Sequence, residues 1–391
     1  MKLGDICSVQ SGGTPKRSKA EYWVNGNIPW VKISDIKGQF LSETEEKITE
    51  EGLANSSAKV FQKGTILYTI FATLGEVCIL NIEAATNQAI AGLSIKTKEL
   101  CPEYLYYFLC AQKEQINKVG RGVAQNNINL TILRDIEINL PTRPEQKRIA
   151  VILEQNDKLI NLRKKQLQEL DNIIKSRFIE MFGDPVKNTM RWEVVTFSEI
   201  FRMIKSGLSR KLSDDDIGLP MIRSKNIVKG VLDPSDLKYW HINDPQGADT
   251  NEYILDDGDI LVNFINSSSQ IGKGCIFHDI GRPCIYTTNC FRIKLKSDCN
   301  EIYFNSYMMT EGYYRQIQSI IQPAVNQASF TTKNYLQLKI PLPPLSLQNQ
   351  FADFVAQVDK SKFACALTMH FYQTLQNSLR QEWMRCQTLN F

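Results

Sequence analysis

The sequence predicts an α+β protein: two mixed α/β domains related by an internal repeat, joined and separated by two long antiparallel coiled-coil helices. Three observations carry that expectation. Segments of the first half recur in order in the second. Each half closes on the same strand, proline turn and glutamine-bearing helix start. Each half then enters a long stretch with the apolar spacing of a helix.

The repeat is legible as an ordered series. "NIPWVKISDI" (Asn27 to Ile36) aligns with "GLPMIRSKNI" (Gly218 to Ile227) at an offset of 191. "KGTILYTI" (Lys63 to Ile70) aligns with "DGDILVNF" (Asp257 to Phe264) at 194, and "LGEVCIL" (Leu74 to Leu80) with "IGKGCIF" (Ile271 to Phe277) at 197. From Asn87 and Asn289 onward the offset is expected to hold at 202, the drift reflecting insertions in surface loops. Ile138, Leu140, Pro141 and Gln146 recur at that offset of 202 as Ile340, Leu342, Pro343 and Gln348.

Each copy opens with short β-like runs such as "GTILYTIF" and "DILVNFI", punctuated by Gly, Asn and Asp. Pro102 to Val119 and Glu301 to Ile321 read as helices within these parts. The first copy starts almost at its first strand, whereas Arg191 to Phe197 lead into the second. After the junction, apolar or near-seam positions recur at 149, 153, 156, 160, 163, 167, 170, 174, 178 and 181, in the steps of three and four of a coiled-coil seam. Ile149, Leu153, Ile160, Leu167, Leu170 and Ile174 are its candidate contact residues, and Asn156 and Arg163 interrupt it. At about 1.5 Å per residue, Glu145 to Met181 makes a rod of roughly 55 Å, stopped by Gly183, Asp184 and Pro185.

The second long helix is expected from about Leu347 to Trp383. Its apolar face reads Phe351, Phe354, Val355 and Val358, then Phe363, Leu367, Phe371, Leu375 and Leu379. Of these, Phe351, Val355, Leu367, Phe371 and Leu375 are candidates for the helix seam or for a partner surface. A seam of this length asks for a partner of equal length, which favours antiparallel pairing within the chain; the alternative packs each helix onto its own domain. The domain organisation is therefore residues 1–144, a first long helix at 145–182, residues 183–343, and a second long helix with the C-terminal tail at 344–391.

Composition narrows the class. Hydrophobic residues at 43% and charged residues at 23% are those of an ordinary globular protein. Apolar runs such as Ala150 to Leu153 are too short to cross a bilayer, and "MKLGDICSVQSGG" lacks the apolar core of a secretion signal, so the expected location is cytoplasmic with no membrane partner. Ten cysteines without a CxxC pair read as free thiols; the spacing of Cys275, Cys284, Cys290 and Cys299 suits no zinc ribbon or finger. The net charge of +4 permits nucleic-acid binding without arguing for it.

Catalytic signatures are missing. Gly272, Lys273 and Gly274 lack the rest of a phosphate loop, and no GxGxxG follows a strand. "PLPPL" (Pro341 to Leu345) lacks the acidic or amide residue and the aromatic of an amino-methyltransferase motif. His241, His278 and His370 are scattered, and no GxSxG or Cys/His pair offers a nucleophile. The chain reads as a non-enzyme that binds no cofactor or metal itself.

What remains is a set of donor-rich loops at matching places in both copies. In the first, Thr14, Lys16 and Arg17 lie in "SGGTPKRSK", Lys32 and Ser34 in "WVKISDI", and Arg121, Gln125, Asn126 and Asn127 in "GRGVAQNNIN". In the second, Ser209, Arg210 and Lys211 lie in "KSGLSRKLS", Arg223 and Lys225 in "RSKNI", Asn266, Ser268 and Lys273 in "NSSSQIGKG", and Gln327 in "NQASFTT". Arg and Lys bind phosphates or the O6/N7 edge of guanine, and Asn and Gln match adenine bidentately. Any single loop is better explained as a solvated loop with Asn and Gly serving turn geometry. The matched placement of Arg17 with Arg210 and Gln125 with Gln327 makes the set a candidate DNA-binding surface.

The order "SGGTPKRS…EYW…IPWVKISDI", then "GTIL", "TNQ", "LP…EQKRIAVIL", a long helix and "FIEMFGDP" resembles the specificity subunit of type I restriction–modification systems, over essentially the whole chain. That resemblance implies two target-recognition domains, each reading one half of a bipartite, asymmetric site in double-stranded DNA. It also implies helices that hold the domains apart and carry two methyltransferase subunits, with restriction subunits joining the assembly. S-adenosylmethionine, ATP and Mg would then belong to those partners. The second copy departs in two places: "GLSRKLSDDD" replaces "GGTPKRSKAE", and Leu347 stands where the first junction has Glu145, which leaves that cap weaker but its glutamine in place. Two other readings fit the repeat: the specificity component of a related system whose single partner both methylates and cleaves, and a coiled-coil scaffold with two protein-binding domains. A methyltransferase acting alone lacks the signatures.

Overall fold

The apolar runs Ile66–Thr69 and Val77–Leu80 are buried at every position, as strands covered on both faces are. They belong to the first of two compact units, Met1–Lys164 with Leu367–Phe391; the second is Lys165–Ala366. The computed structural model describes residues 1–113, 116–117, 127–228, 230–241, 250–323 and 327–388.

In the first unit the strands are β1 Cys7–Ser11, β2 Ile28–Val31, β3 Phe40–Leu41, β4 Glu46–Ile48, β5 Val60–Phe61, β6 Ile66–Thr69, β7 Val77–Leu80, β8 Ala84–Thr86 and β9 Ile90–Ile95. A central sheet takes the order β1-β9-β6-β7-β3, and a smaller one the order β4-β2-β8-β5 with β2 parallel to β8. The helix Pro102–Ala111 lays Tyr104, Leu105, Phe108 and Leu109 into a core shared with Ile66, Tyr68 and Leu93. Proline at its first position suits a helix start, where no N–H is needed. Residues 114–115 and 118–119 of the helix expected to reach Val119 lie outside the described residues.

The second unit repeats this plan. Its strands are β10 Glu193–Thr196, β11 Phe201–Ser206, β12 Leu219–Ile222, β13 Ile227–Val228, β14 Val231–Leu232, β15 Lys238–Trp240, β16 Ile260–Asn263, β17 Ile265–Asn266, β18 Gly274–Ile276, β19 Ile285–Tyr286, β20 Cys290–Leu295, β21 Gln322–Pro323, β22 Ala328–Ser329 and β23 Lys339–Leu342. The order β11-β20-β16-β18 reproduces β1-β9-β6-β7, and β15-β12-β19 reproduces β4-β2-β8, down to the parallel pair β12–β19.

Strand register corrects the expected offset. Ile66 faces Leu93 as Ile260 faces Ile293, so β9 and β20 are related by 200 and not 202. The N-caps Cys101 and Asn300 are 199 apart. The missing residues enter after the caps. The helix expected over Glu301 to Ile321 is two helices, Glu301–Tyr307 and Glu311–Ile320, because Thr310 caps a new start by accepting from the Tyr313 N–H at 3.3 Å.

Both junctions close on the same hydrogen-bonded staple. Gln146 and Gln348 are buried. Gln146 Oε1 accepts from the Cys101 N–H at 2.9 Å, and its Nε2 donates to the Glu99 and Pro141 carbonyls, each at 2.9 Å. Gln348 Oε1 accepts from the Asn300 N–H at 2.8 Å, and its Nε2 donates to the Asp298 carbonyl at 3.2 Å and the Pro343 carbonyl at 2.7 Å. One amide therefore ties the start of the long helix and its proline turn to the cap of an earlier helix. The strand expected before the turn is β23 in the second copy, whereas the first has, among the described residues, only the isolated bridge between Lys2 and Glu137. In the first copy a carboxylate that reaches back to the helix start adds to the staple: Glu145 accepts from the Thr142 N–H at 2.9 Å and hydroxyl at 2.7 Å.

The long helices are Arg143–Phe182 and Leu345–Thr388. Within each unit they run antiparallel. In the first, Asn156 Nδ2 donates to the Tyr372 carbonyl at 3.0 Å, Gln376 donates to Asp157, and Leu379 packs on Ala150 and Leu153. In the second, Cys365 Sγ donates to Gln166 at 3.5 Å, Lys362 pairs with Asp171 at 2.9 Å, and Phe178 meets Phe351 with ring centroids 5.6 Å apart. Phe178 of "FIEMF" stacks on Tyr303, Phe182 meets Tyr303 and Phe351 edge to face in the second unit's core, and Gly183 at φ +78° then ends the helix.

On the first helix, Leu153 and Ile160 are buried, and Ile149, Leu167, Leu170 and Ile174 are half-buried. The second helix corrects the expected seam. Phe351 and Val355 are buried, but Leu367, Phe371 and Leu375 are 54%, 62% and 40% exposed. The face turned inward continues from Val358 through Lys362, Cys365, Met369, Tyr372 and Gln376. Steps of three and four lead there; following hydrophobicity in steps of four drifts off the seam. Polar residues occupy the inner face because Asn156, Asp157, Gln166 and Asp171 supply their partners.

Candidate nucleic-acid interface

In the first unit, backbone hydrogen bonds draw several loops to one end of the central sheet. The Gly12 N–H donates to the Ile90 carbonyl at 3.1 Å, and the Gly13 N–H to Thr86 at 2.9 Å. Ile70 donates to Ala89 at 2.8 Å and Ile128 to Ile70 at 3.1 Å, while Phe71 bridges Asn127. The loop after β1, the β6–β7 loop, the β8–β9 turn and the segment around Asn127 therefore share one edge. Gly12 is required there: a Cβ would collide with Thr86.

The second unit converges in the same way. Leu208 donates to Tyr286 at 2.9 Å, Thr288 to Leu208 at 3.2 Å, Phe264 to Asn289 at 3.0 Å and Phe330 to Phe264 at 3.2 Å. Gly207 stands where Gly12 does, its absent Cβ sparing the Tyr286 carbonyl. Here the edge is extended by the small sheet β17-β22-β21, which pairs Asn266 with Ala328.

The sequence-derived candidates among the described residues fall on this edge or beside it. Thr14 donates to Gln88 of the β8–β9 turn. Lys16 and Ser34 are exposed. Lys32 directly follows Val31, whose carbonyl accepts from the Asn87 N–H at 3.2 Å. In the second unit Ser209, Lys211, Ser268 and Gln327 are exposed. Asn266 accepts from the Ser267 N–H at 2.8 Å, and Lys273 donates to Gln270 at 3.0 Å. Arg223 follows Ile222, whose carbonyl accepts from the Thr287 N–H at 3.0 Å. Arg121, Gln125 and Asn126 lie outside the described residues.

Several of these cations are held by carboxylates. Arg17 pairs with Glu46, and Lys32 with Glu45 at 2.8 Å and Glu46 at 2.9 Å. Lys225 and Arg223 both face Asp236. Hydrogen bonds to Glu45 and then Glu46 hold the Lys32 ammonium above its ordinary range. The bond from Lys225 holds the Asp236 carboxyl below its own. The acidic partners Glu45, Glu46 and Asp236 were not picked out from sequence. Neither were the aromatic platforms: Arg17 lies 3.7 Å from the Trp23 ring centroid and 4.8 Å from that of Trp30, and Arg210 lies 5.5 Å from that of Trp240. Arg17 followed by Trp23 was the available sign. Nothing local in the sequence pairs Arg210 with Trp240, thirty residues on.

Two copies of one α/β domain, each with a polar loop edge and each stapled to a long helix, define a duplicated α/β repeat protein whose two loop edges differ in sequence. The family model of the type I restriction modification DNA specificity domain matches residues 1–172 and again residues 190–366, and the chain belongs to that family. It is 32% identical over 253 residues to the type I restriction enzyme MjaIX specificity subunit of Methanocaldococcus jannaschii, a match covering 59% of this chain and 58% of that relative. It is 25% identical over 365 residues to the MjaVIII specificity subunit of the same organism, covering 86% of this chain and 83% of the relative. A solved chain from work on complex assembly and conformational transition of a type I R-M system superposes with a TM-score of 0.58 over 98% of this chain and 96% of that one, at 17% identity. At that identity the likeness is one of fold.

Proposed function

We propose that this chain is the DNA specificity subunit of a type I restriction–modification system. Its two domains read the two halves of a bipartite, asymmetric DNA site and direct methyltransferase and restriction subunits to it. The observation that carries the reading is the duplicated loop edge: the same backbone convergence, built on Gly12 and Gly207, presents different polar side chains in each unit. A shared scaffold with unlike edges is what an asymmetric site asks for.

The chain itself acts without catalysis, and S-adenosylmethionine, ATP and Mg belong to the partners, in the cytoplasm. Two methyltransferase subunits are proposed to dock on the long helices. The outward side chains fit that role: Leu367 and Phe371 in the first unit and Phe363 in the second leave apolar area for a partner to cover. Because the net charge is only +4, the partners are expected to supply much of the phosphate neutralisation.

The test is to map methylated adenines in a host carrying this chain with its methyltransferase partner. One bipartite motif is expected. A partner-dependent methylome with a continuous motif, or retention of no DNA sequence by the purified complex, overturns the reading; the latter favours a protein-binding scaffold. A titration with salt should also show tight binding by the complex and weak binding by the chain alone. Equal affinity and specificity in both would refute the division of labour.

A further inference from the structure

Arg17 and Arg210 occupy matching loops, after β1 and β11, and in both the guanidinium stands over tryptophan. The platforms do not correspond in the repeat. Trp30 lies in β2, whereas Trp240 lies in β15 and faces Leu219 as Ile48 faces Ile28. The same arginine-on-tryptophan arrangement has therefore been built twice from different positions, which turn geometry does not require.

Each guanidinium is anchored at one end. Arg17 gives Nη1 to Glu46, and Arg210 gives Nη1 to the Ser209 carbonyl at 2.7 Å. Among the described residues the Arg210 Nε is buried without a hydrogen-bond partner, so a base edge can be met only through the terminal amino groups. A guanidinium held against an indole ring and anchored at one end has little freedom left in the direction of its remaining donors. Phosphate needs no such fixing, and the exposed neighbours Lys16 and Lys211 serve it as well. A guanine edge does need it, since O6 and N7 accept in one plane.

We infer that Arg17 and Arg210 are matched base readers, each presenting its guanidinium fork to the O6/N7 edge of a guanine, one in each half-site. This rests on the DNA-specificity reading above and assigns the side chains that carry it.

The experiment uses the full chain with its methyltransferase partner. Arg17→Lys keeps the charge and removes the fork. The methylome of a host carrying it is expected to lose its guanine requirement at one position of one half-site, with the other half unchanged; Arg210→Lys should do the reciprocal. In competition binding, discrimination at that base pair should fall by about 5- to 150-fold, the range for a lost bidentate contact. An unchanged motif with binding weakened equally on all sequences makes the arginines phosphate contacts and overturns the inference. An unchanged motif with unchanged binding makes them structural and overturns it too. Should Arg17→Lys lose its melting transition, Glu46→Gln carries the test: it frees the anchor and must relax the same base pair, and failure to do so is refutation. A wild-type complex with no sequence preference at all sinks the DNA reading, and this inference with it.

Discussion

At the scale of single residues, the most consequential side chains are two buried amides. Replacing Gln146 or Gln348 by leucine leaves one N–H and two carbonyls without their partner. Each buried unsatisfied group costs about 1–3 kcal/mol, so a loss of about 3 kcal/mol or more is expected for the affected unit. Urea unfolding reads it directly, and a loss below about 1 kcal/mol in both variants would refute the staple. Glu145 is a second case. Its bonds from the Thr142 hydroxyl and N–H hold its carboxyl below the usual range. A carboxylate with a lowered folded pKa contributes stability above its unfolded value and loses it as pH falls through the folded one. Glu145→Gln should therefore flatten the decline of melting temperature below about pH 4.5, the ordinary glutamate range. An identical acid slope would remove Glu145 from the explanation. Cysteine gives a third. Burial pushes Cys290 up to about 12, against the opposing hydrogen bond with Ser224. Its thiol should resist alkylation at pH 8 in the folded protein and react on unfolding; prompt labelling of native Cys290, located by mass spectrometry, would contradict the packing.

At the scale of elements, the strand runs, the two junctions and the first helix's seam were legible because each is a local pattern. "GTILYTI" is short, apolar and bounded by turn residues, and it is β6. The second helix was legible in its existence and not in its inner face. Hydrophobicity chose Leu367, Phe371 and Leu375, whereas the seam is kept by Lys362, Cys365 and Gln376 because Asp171, Gln166 and Asp157 await them. Polar partners on another helix leave no trace in a single helix's own periodicity. The same reason hid Glu46 behind Arg17 and Trp240 behind Arg210. Mutation separates the two faces. Ile160→Ala on the inner face should cost about 2–4 kcal/mol, and Phe371→Ala on the outer face less than about 0.5 kcal/mol in the isolated chain. Equal costs in thermal unfolding would restore the hydrophobic face to the seam.

At the scale of the whole molecule, the polar seam constrains how the helices can be altered. Asn156 meets Tyr372 in one unit, and Asp171 meets Lys362 in the other. A heptad inserted after Asn161 alone advances one helix past its partner, so one of these sets must lose its match. A heptad inserted after Asn161 and another after His370 keeps both sets paired, because the additions lie opposite each other in an antiparallel seam. Each adds about 10 Å of helix. If the helices space the two recognition domains, the doubly extended protein should keep its melting temperature and both half-sites, while the spacer between them lengthens by up to about three base pairs at 3.4 Å each. The single insertion should melt lower. Methylome mapping distinguishes the outcomes. A lengthened spacer with unchanged half-sites makes the helices a ruler. An unchanged spacer removes that role from them, and altered half-sites would mean that base reading is not confined to the loop edges.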